Sequence, residues 1–152
     1  MKAEVRHLEG MTFLGRGLES SCWVPLDAPA EKGGAGSATR PMELLLIGLG
    51  GCTGMDVYGI LRKMRLPLAG FRVELEGDRA EEHPRGFEKI TVIYHVWGDG
   101  LDEDKVAEAV RLSEEKYCGA KASLSAVEFS SRIEIHPADE APNAPLKRGS
   151  RA

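Results

Sequence analysis

The sequence contains few cysteines, and they follow no common structural pattern. Only Cys22, Cys52 and Cys118 occur in 152 residues. An odd number at such wide spacing is not typical of the disulfide framework of a small secreted protein, and there is no Cys-x-x-Cys pair of the kind that binds zinc. Because free thiols persist in a reducing compartment, we expect a soluble cytoplasmic protein.

The sequence also lacks an excess of basic residues, a phosphate-binding motif and an apolar leader. It has 20 Lys and Arg against 24 Asp and Glu, so we expect no nucleic-acid partner. Residues 28–39 are rich in Ala, Pro, Gly and Ser and predict a flexible loop. The glycines within residues 33–36 are not followed by Gly-Lys-Ser/Thr. Residues 2–7 have neither the apolar core nor the cleavage site of a signal peptide, so we expect no export. His7, His95 and His136 lie in predicted strands at unrelated positions, and His83 is interpreted as a loop residue, so we predict no metal site.

Alternation of apolar and polar side chains predicts several β-strands. Within residues 3–26 the pattern predicts a hairpin of two or three strands, with a break at Gly10. Further strands are predicted at residues 71–76, 89–97 and 127–136, where β-branched and aromatic residues are frequent. These strands supply the β part of the fold.

Two helices are predicted between these strands. Pro41 suits the first position of a helix, and no further proline interrupts the chain through Arg65. A second helix is predicted from about Asp102, with Cys118 in its last turn and Gly119 as its stop. The longer helix is the strongest helical signal in the sequence.

The order of these elements predicts one α+β domain over residues 1–136. Strands and helices follow one another without β-α-β alternation, which favours antiparallel pairing and a sheet packed on helices. Residues 137–152 are rich in proline and predict a disordered or extended tail.

The long helix is apolar on every side in its first half, residues 44–49. A membrane span is disfavoured because Glu43 and Asp56 flank a stretch too short to cross about 30 Å of hydrocarbon. A helix that is apolar all round needs cover on all sides, and one small sheet covers only one. We therefore predict a homodimer in which a second subunit covers the rest.

Cys52 has the sequence context of a reactive thiol. Three glycines in residues 48–51 precede it, which leaves room for a substrate or another backbone near the sulfur. Reactivity also requires the thiolate, and an ordinary cysteine is only about 3 per cent ionised at pH 7. A nearby cation or helix N-terminus must then favour ionisation. The alternative is that a free cysteine is a small buried apolar residue, which is our interpretation of Cys22.

Two segments resemble the OsmC/Ohr family. The first, residues 41–57, begins Pro-Met-Glu-Leu-Leu-Leu and contains Gly-Gly-Cys52. The second, residues 112–118, ends Lys-Tyr-Cys118. Glu82-His83-Pro84 and the order of elements are also similar to that family. The resemblance implies an intertwined homodimer whose antiparallel sheets wrap around two central helices. It further implies a thiol-dependent peroxidase that acts on organic hydroperoxides.

By this resemblance Cys52 attacks the peroxide and becomes a sulfenic acid, and Cys118 resolves it. A sulfenic acid is reversible only while a thiol can reach it, which gives the second cysteine a physical reason to lie close. The resemblance implies a dithiol reductant as a further partner, and it requires neither a metal nor an organic cofactor.

The sequence departs from the hydroperoxide-reducing members at one position. Those members carry a glutamate directly after the helix-opening proline, where it holds an arginine that activates the thiolate, and here that residue is Met42. Glu43 comes one position later, which is about 100° around the helix. Arg16, Lys32 and Arg40 are all candidates for the cation, and we favour Arg40 with Glu43. The alternative function is a non-catalytic protein of the same fold that senses redox state or binds an apolar ligand.

Overall fold

A computed structural model describes residues 1–142, and residues 143–152 lie outside the described part of the chain. The chain forms two compact units, Met1–Ile47 and a second unit that begins at Gly48. Most of the predicted tail therefore falls on residues that are not described, and its disorder stays a prediction. Within the described part of the tail, Ala138–Glu140 forms one 3₁₀ turn.

The first unit is a three-stranded antiparallel sheet in the order β1-β2-β3, where β1 is Ala3–Glu9, β2 is Thr12–Gly17 and β3 is Trp23–Leu26. Gly10 has a φ of +56° in the turn between β1 and β2, a conformation that glycine adopts at little cost. The predicted N-terminal hairpin is confirmed, and it has three strands.

The loop after β3 is organised around one buried carboxylate. Asp27 accepts hydrogen bonds from the backbone N–H groups of Ala28, Ala35 and Ser37. These bonds, led by the one from Ser37, hold the pKa of Asp27 below its ordinary value despite burial of the group. A Cβ on Gly34 would lie 1.8 Å from the Ala28 carbonyl oxygen, so the glycine is needed for this close approach. The predicted flexible loop is thus an ordered turn around Asp27.

Helix α1, Pro41–Lys63, continues from the first unit into the second. The rest of the second unit consists of strands β4 and β5, helices α2 and α3, and strand β6. Their bounds are Gly70–Arg79 for β4, Phe87–Trp97 for β5, Glu103–Leu112 for α2, Gly119–Ser123 for α3 and Glu128–His136 for β6. A π turn, Ser113–Tyr117, joins α2 to Cys118.

The second sheet has the order β4-β5-β6 and mixed strand directions. Strands β4 and β5 are antiparallel, whereas β6 runs parallel to β5. The α+β class is confirmed, but the expected purely antiparallel pairing and the absence of a β-α-β unit were wrong for this sheet. Parallel neighbours need a long crossover, and here the crossover is the α2 to α3 segment.

One stripe of α1 packs on the second sheet. Leu49, Thr53, Val57 and Leu61 are buried at intervals of four residues, the spacing that places side chains on one helical face. A Cβ on Gly50 would lie 2.5 Å from the Cδ1 of Leu75 in β4. Each fully buried leucine or valine contributes about 1.5–3 kcal/mol relative to exposure, so this stripe is a main source of stability for the second unit.

Other apolar side chains of α1 remain exposed. They include Ile47 at 56% and Met55 at 74% relative exposure, together with Leu45 and Tyr58. By length and composition alone α1 could cross a membrane, a property it shares with many core helices of globular proteins. Contact with another apolar surface would remove these exposed side chains from water, which is the physical basis for a dimer.

Candidate functional site

The second unit brings Cys52 and Cys118 together. Their sulfur atoms and a carboxylate oxygen of Asp56 all lie within 4.8 Å of one another. Cys118 is buried at 5% relative exposure, whereas Cys52 is half-buried. Cys22 belongs to the first unit and is exposed, so our interpretation of it as a packing residue was wrong.

Local backbone structure positions both sulfurs. Cys52 lies on α1, one residue before the buried Thr53 and four before Asp56, so Cys52 and Asp56 share a face of the helix. Cys118 has extended backbone angles between the π turn and α3, and its sulfur caps α3 by accepting a hydrogen bond from the Lys121 N–H at 3.4 Å. The predicted helix boundary at Cys118 is confirmed, since the helical run from α2 through the π turn ends at Tyr117. Gly119 begins α3 and is not only a stop.

The surroundings of Cys118 favour its protonated form. Burial raises the pKa of the Cys118 thiol above its ordinary value, and the neighbouring Cys52 raises it further. The Lys121 N–H acts in the opposite direction but does not reverse the shift. A thiol that stays protonated is a poor nucleophile, so the pair is asymmetric: Cys118 is the buried thiol and Cys52 is the more accessible sulfur.

A network of buried hydroxyl groups lies beside the two sulfurs. The Thr53 hydroxyl is 2.7 Å from the Tyr94 hydroxyl and 2.9 Å from the Ser113 hydroxyl. The Ser113 hydroxyl lies 3.4 Å from Asp56 and can donate to its carboxylate. Because buried polar groups without partners cost about 1–3 kcal/mol each, this network fixes α1 against β5 and the π turn.

An ion pair continues the network toward the surface. The Tyr94 hydroxyl donates to Glu114 at 3.3 Å, and Lys121 Nζ lies 2.9 Å from the other oxygen of Glu114. Burial and the nearby Glu114 carboxylate raise the pKa of Tyr94, so this side chain remains a hydroxyl donor. Lys121 is thus a cation in the same unit as the two sulfurs, and its backbone N–H contacts one of them.

A pocket of about 400 Å³ opens beside Cys118. It combines apolar side chains with the Glu114 and Lys121 ion pair. A molecule bound there would lie next to the Cys118 segment. Its lining residues are Glu114, Glu115, Lys116, Tyr117, Cys118, Gly119, Lys121, Ala122, Ser125, Val127 and Phe129.

Arg40 and Glu43 are paired in the first unit. The Glu43 carboxylate accepts the Arg40 backbone N–H at 3.0 Å and lies 3.9 Å from the Arg40 guanidinium. This contact has the form of half a capping box at the start of α1. Arg16, a second candidate cation, is paired with Glu4 in the same unit. The catalytic roles of Arg40 and Glu43, and the alternative cations Arg16 and Lys32, stay predictions.

Several residues of the site were missed from the sequence. Asp56 could have been found, because it follows Cys52 by four positions on a predicted helix. Tyr94, Ser113 and Glu114 gave no comparable signal, since their contacts join β5, the π turn and α1 across 20 to 60 positions of sequence.

The two thiols and Asp56 also have the donor chemistry of a zinc ligand set, so thiol assays require metal-free protein.

The chain matches a sequence family described as OsmC-like protein over residues 34–132. Protein YhfA of Escherichia coli strain K12 is 39% identical over 137 residues, which cover 89% of this chain and 98% of YhfA. A hypothetical protein from Aquifex aeolicus VF5 is 31% identical, with a TM-score of 0.77 over 90% of this chain and 96% of that chain.

One more distant structure is similar in fold alone. The organic hydroperoxide resistance protein OsmC from Legionella pneumophila is 18% identical, with a TM-score of 0.61 over 89% of this chain and 96% of that chain.

Proposed function

Because the chain belongs to the OsmC-like family, a membership that indicates a redox or peroxide-stress role, we propose that it is a thiol-dependent peroxidase for organic hydroperoxides. The observation that carries the proposal is the pair of sulfurs within 4.8 Å, one accessible and the other buried and protonated. The name of the organic hydroperoxide resistance protein from Legionella pneumophila supports the choice of substrate class.

In the first step the Cys52 thiolate attacks the terminal oxygen of the hydroperoxide. The O–O bond breaks, Cys52 is oxidised to a sulfenic acid, and the leaving alkoxide takes up a proton and departs as the alcohol. Cys52 is assigned this role because it is the more accessible of the two cysteines.

In the second step the Cys118 sulfur attacks the Cys52 sulfenic acid. A disulfide forms and water leaves, with the thiol proton and the sulfenic hydroxyl as its source. A disulfide needs an S–S distance of about 2.05 Å, so the two side chains must approach from their present separation. A dithiol reductant then exchanges with the disulfide, restores both thiols and becomes a disulfide itself.

Mass mapping after one equivalent of cumene hydroperoxide tests this chemistry. We expect the reduced, metal-free protein to lose two hydrogens and to give one peptide pair linked through Cys52 and Cys118. In Cys118→Ser the same treatment is expected to leave a Cys52 sulfenic acid that dimedone traps. If both thiols of the wild-type protein stay reduced, or if the link involves Cys22, the proposed chemistry is wrong.

We also propose that the protein acts in the cytoplasm as a homodimer in which the exposed face of α1 is covered by the second subunit. Met55 and Tyr58 are exposed on this helix although both are large and apolar. A second copy of the chain is the simplest source of cover for an apolar helix face.

A charge on that face is expected to prevent dimer formation. The change Met55→Glu would bury an unpaired carboxylate in the interface, which costs several kcal/mol, so light scattering coupled to size-exclusion chromatography should show a monomer. Lys63→Glu, at an exposed polar position of the same helix, serves as the control and should stay dimeric. A monomeric wild-type protein would refute the dimer.

A further inference from the structure

The face of the second sheet away from α1 carries a cluster of histidine and carboxylate side chains. Tyr94 reaches the Thr53 hydroxyl on α1, so its neighbour His95 points to the opposite face of β5. In the parallel register His95 lies beside Glu134, and Trp97 lies beside His136. We propose that His95, Glu134 and His136 form a binding site for a divalent cation of the Zn²⁺ type.

The donor atoms are spaced as they would be around a metal ion. His95 Nδ1 lies 3.1 Å from His136 Nε2 and 3.2 Å from Glu134 Oε2. The third side of this triangle, from His136 Nε2 to Glu134 Oε2, is 3.9 Å. Ligands at about 2.0–2.1 Å from a tetrahedral Zn²⁺ are about 3.3–3.4 Å apart, so small side-chain movements would place all three atoms in the coordination sphere.

A second carboxylate orients His95 for this role. Glu74 Oε2 lies 3.3 Å from His95 Nε2, and a hydrogen bond from Nε2–H to Glu74 leaves the lone pair on Nδ1, the atom that faces Glu134 and His136. Metal-binding histidines commonly donate their other ring N–H to a carboxylate in this way. Arg72 Nη2 lies 3.2 Å from both Glu74 Oε2 and His95 Nε2. With Nε2 protonated, the guanidinium donates to Glu74 alone and fixes this carboxylate beside His95.

Packing and exposure also suit a metal site. Trp97 stacks on both imidazole rings, with centroid distances of 4.8 Å to His136 and 5.8 Å to His95. His95 is buried, whereas Glu134 is exposed, so an ion can reach the site from solvent. Two neutral imidazoles and one carboxylate are ligands that Zn²⁺ accepts, and three protein ligands leave a fourth position for water.

Zinc titration of the Cys52→Ser protein tests the proposal, because that change breaks the cysteine and Asp56 ligand set. Isothermal titration calorimetry should show one Zn²⁺ per chain, and the affinity should fall at least about tenfold in a second variant, Glu134→Gln or His136→Gln, added to it. His7→Gln, which changes a histidine in β1 of the first unit, should leave the affinity unchanged. Both Glu134 and His136 are accessible enough for their variants to fold.

X-ray absorption and fluorescence identify the site independently of activity. At the zinc edge of the Cys52→Ser protein loaded with one equivalent of Zn²⁺, we expect nitrogen and oxygen ligands at about 2.0–2.1 Å and no sulfur at about 2.3 Å. Ni²⁺ should quench the fluorescence of Trp97, and the quenching should disappear in Trp97→Phe. Equal zinc affinity of the Cys52→Ser protein with and without His136→Gln, or a zinc–sulfur shell as the only metal signal in the Cys52→Ser protein, would overturn the proposal.

Discussion

Replacing Cys52 by serine is expected to lower the rate of organic hydroperoxide consumption by about a thousandfold or more. The thiolate is the nucleophile, and a serine hydroxyl is not ionised at neutral pH and cannot be oxidised to a sulfenic acid. Loss of a nucleophile removes the whole covalent pathway, so the effect should approach that of removing the site. Stopped-flow measurement with cumene hydroperoxide gives the rate for each variant.

The other two cysteines serve as controls for this result. Cys118→Ser should retain fast oxidation of Cys52 to a sulfenic acid. It should lose turnover with a dithiol reductant, because no resolving thiol remains. Cys22→Ser should behave as the wild-type protein, since Cys22 is exposed and lies in the first unit. Wild-type rates in Cys52→Ser would exclude Cys52 as the attacking thiol.

A slow wild-type protein would point to a different function. If its thiols react with peroxide no faster than free cysteine, the alternative of a redox-sensing or apolar-ligand-binding protein becomes the better explanation.

The family position that carries a glutamate in hydroperoxide-reducing members is Met42 here, and Glu43 caps α1. The variant Met42→Glu should then raise the rate of organic hydroperoxide consumption, because it restores that glutamate.

The change Gly98→Ala is expected to destabilise the protein by about 3 kcal/mol. A Cβ at this position would lie 2.3 Å from the Pro67 carbonyl oxygen and 3.1 Å from Leu101. Because the closest atom belongs to the backbone, rotation of a side chain cannot relieve the clash, and overpacking of this kind costs about 1–3 kcal/mol and occasionally more. Urea unfolding with linear extrapolation measures the change.

Gly86→Ala is the matched control for Gly98→Ala. No heavy atom outside the immediate chain neighbours lies within 4 Å of a Cβ at Gly86, and the residue is exposed. Its stability should stay within about 0.5 kcal/mol of the wild-type value. Equal stability of the two variants would show that the chain around Gly98 adapts to the added methyl group.

Much of the secondary structure followed from local signals. Pro41 marks the start of α1 because proline is suited to the first position of a helix. Residues 71–76 lie inside β4, because a strand between core and solvent alternates apolar and polar side chains. Residues 89–97 lie inside the mostly buried strand β5, because β-branched and aromatic residues favour strands. These elements were predictable because their determinants lie within a few positions of sequence.

Features set by distant contacts were not predictable in the same way. The parallel direction of β6 depends on the crossover through α2 and α3, and the hydrophobic pattern of a strand does not report its direction. The π turn that presents Cys118 had no sequence signal. His95 and His136 are far apart in sequence, yet their ring nitrogens lie 3.1 Å apart because β5 and β6 are neighbours in register.

The sequence by itself determined the α+β class, most of the strands and helices, and which thiols to examine. Only the tertiary structure decided that Cys52 and Cys118 meet beside Asp56, that Cys118 is the buried partner, and that His95 lies against Glu134 and His136. Periodicity reports which face of an element is buried, whereas the chemistry of a site depends on distances between residues far apart in the chain. Those distances are fixed only when the sheet pairs and the helices pack on it.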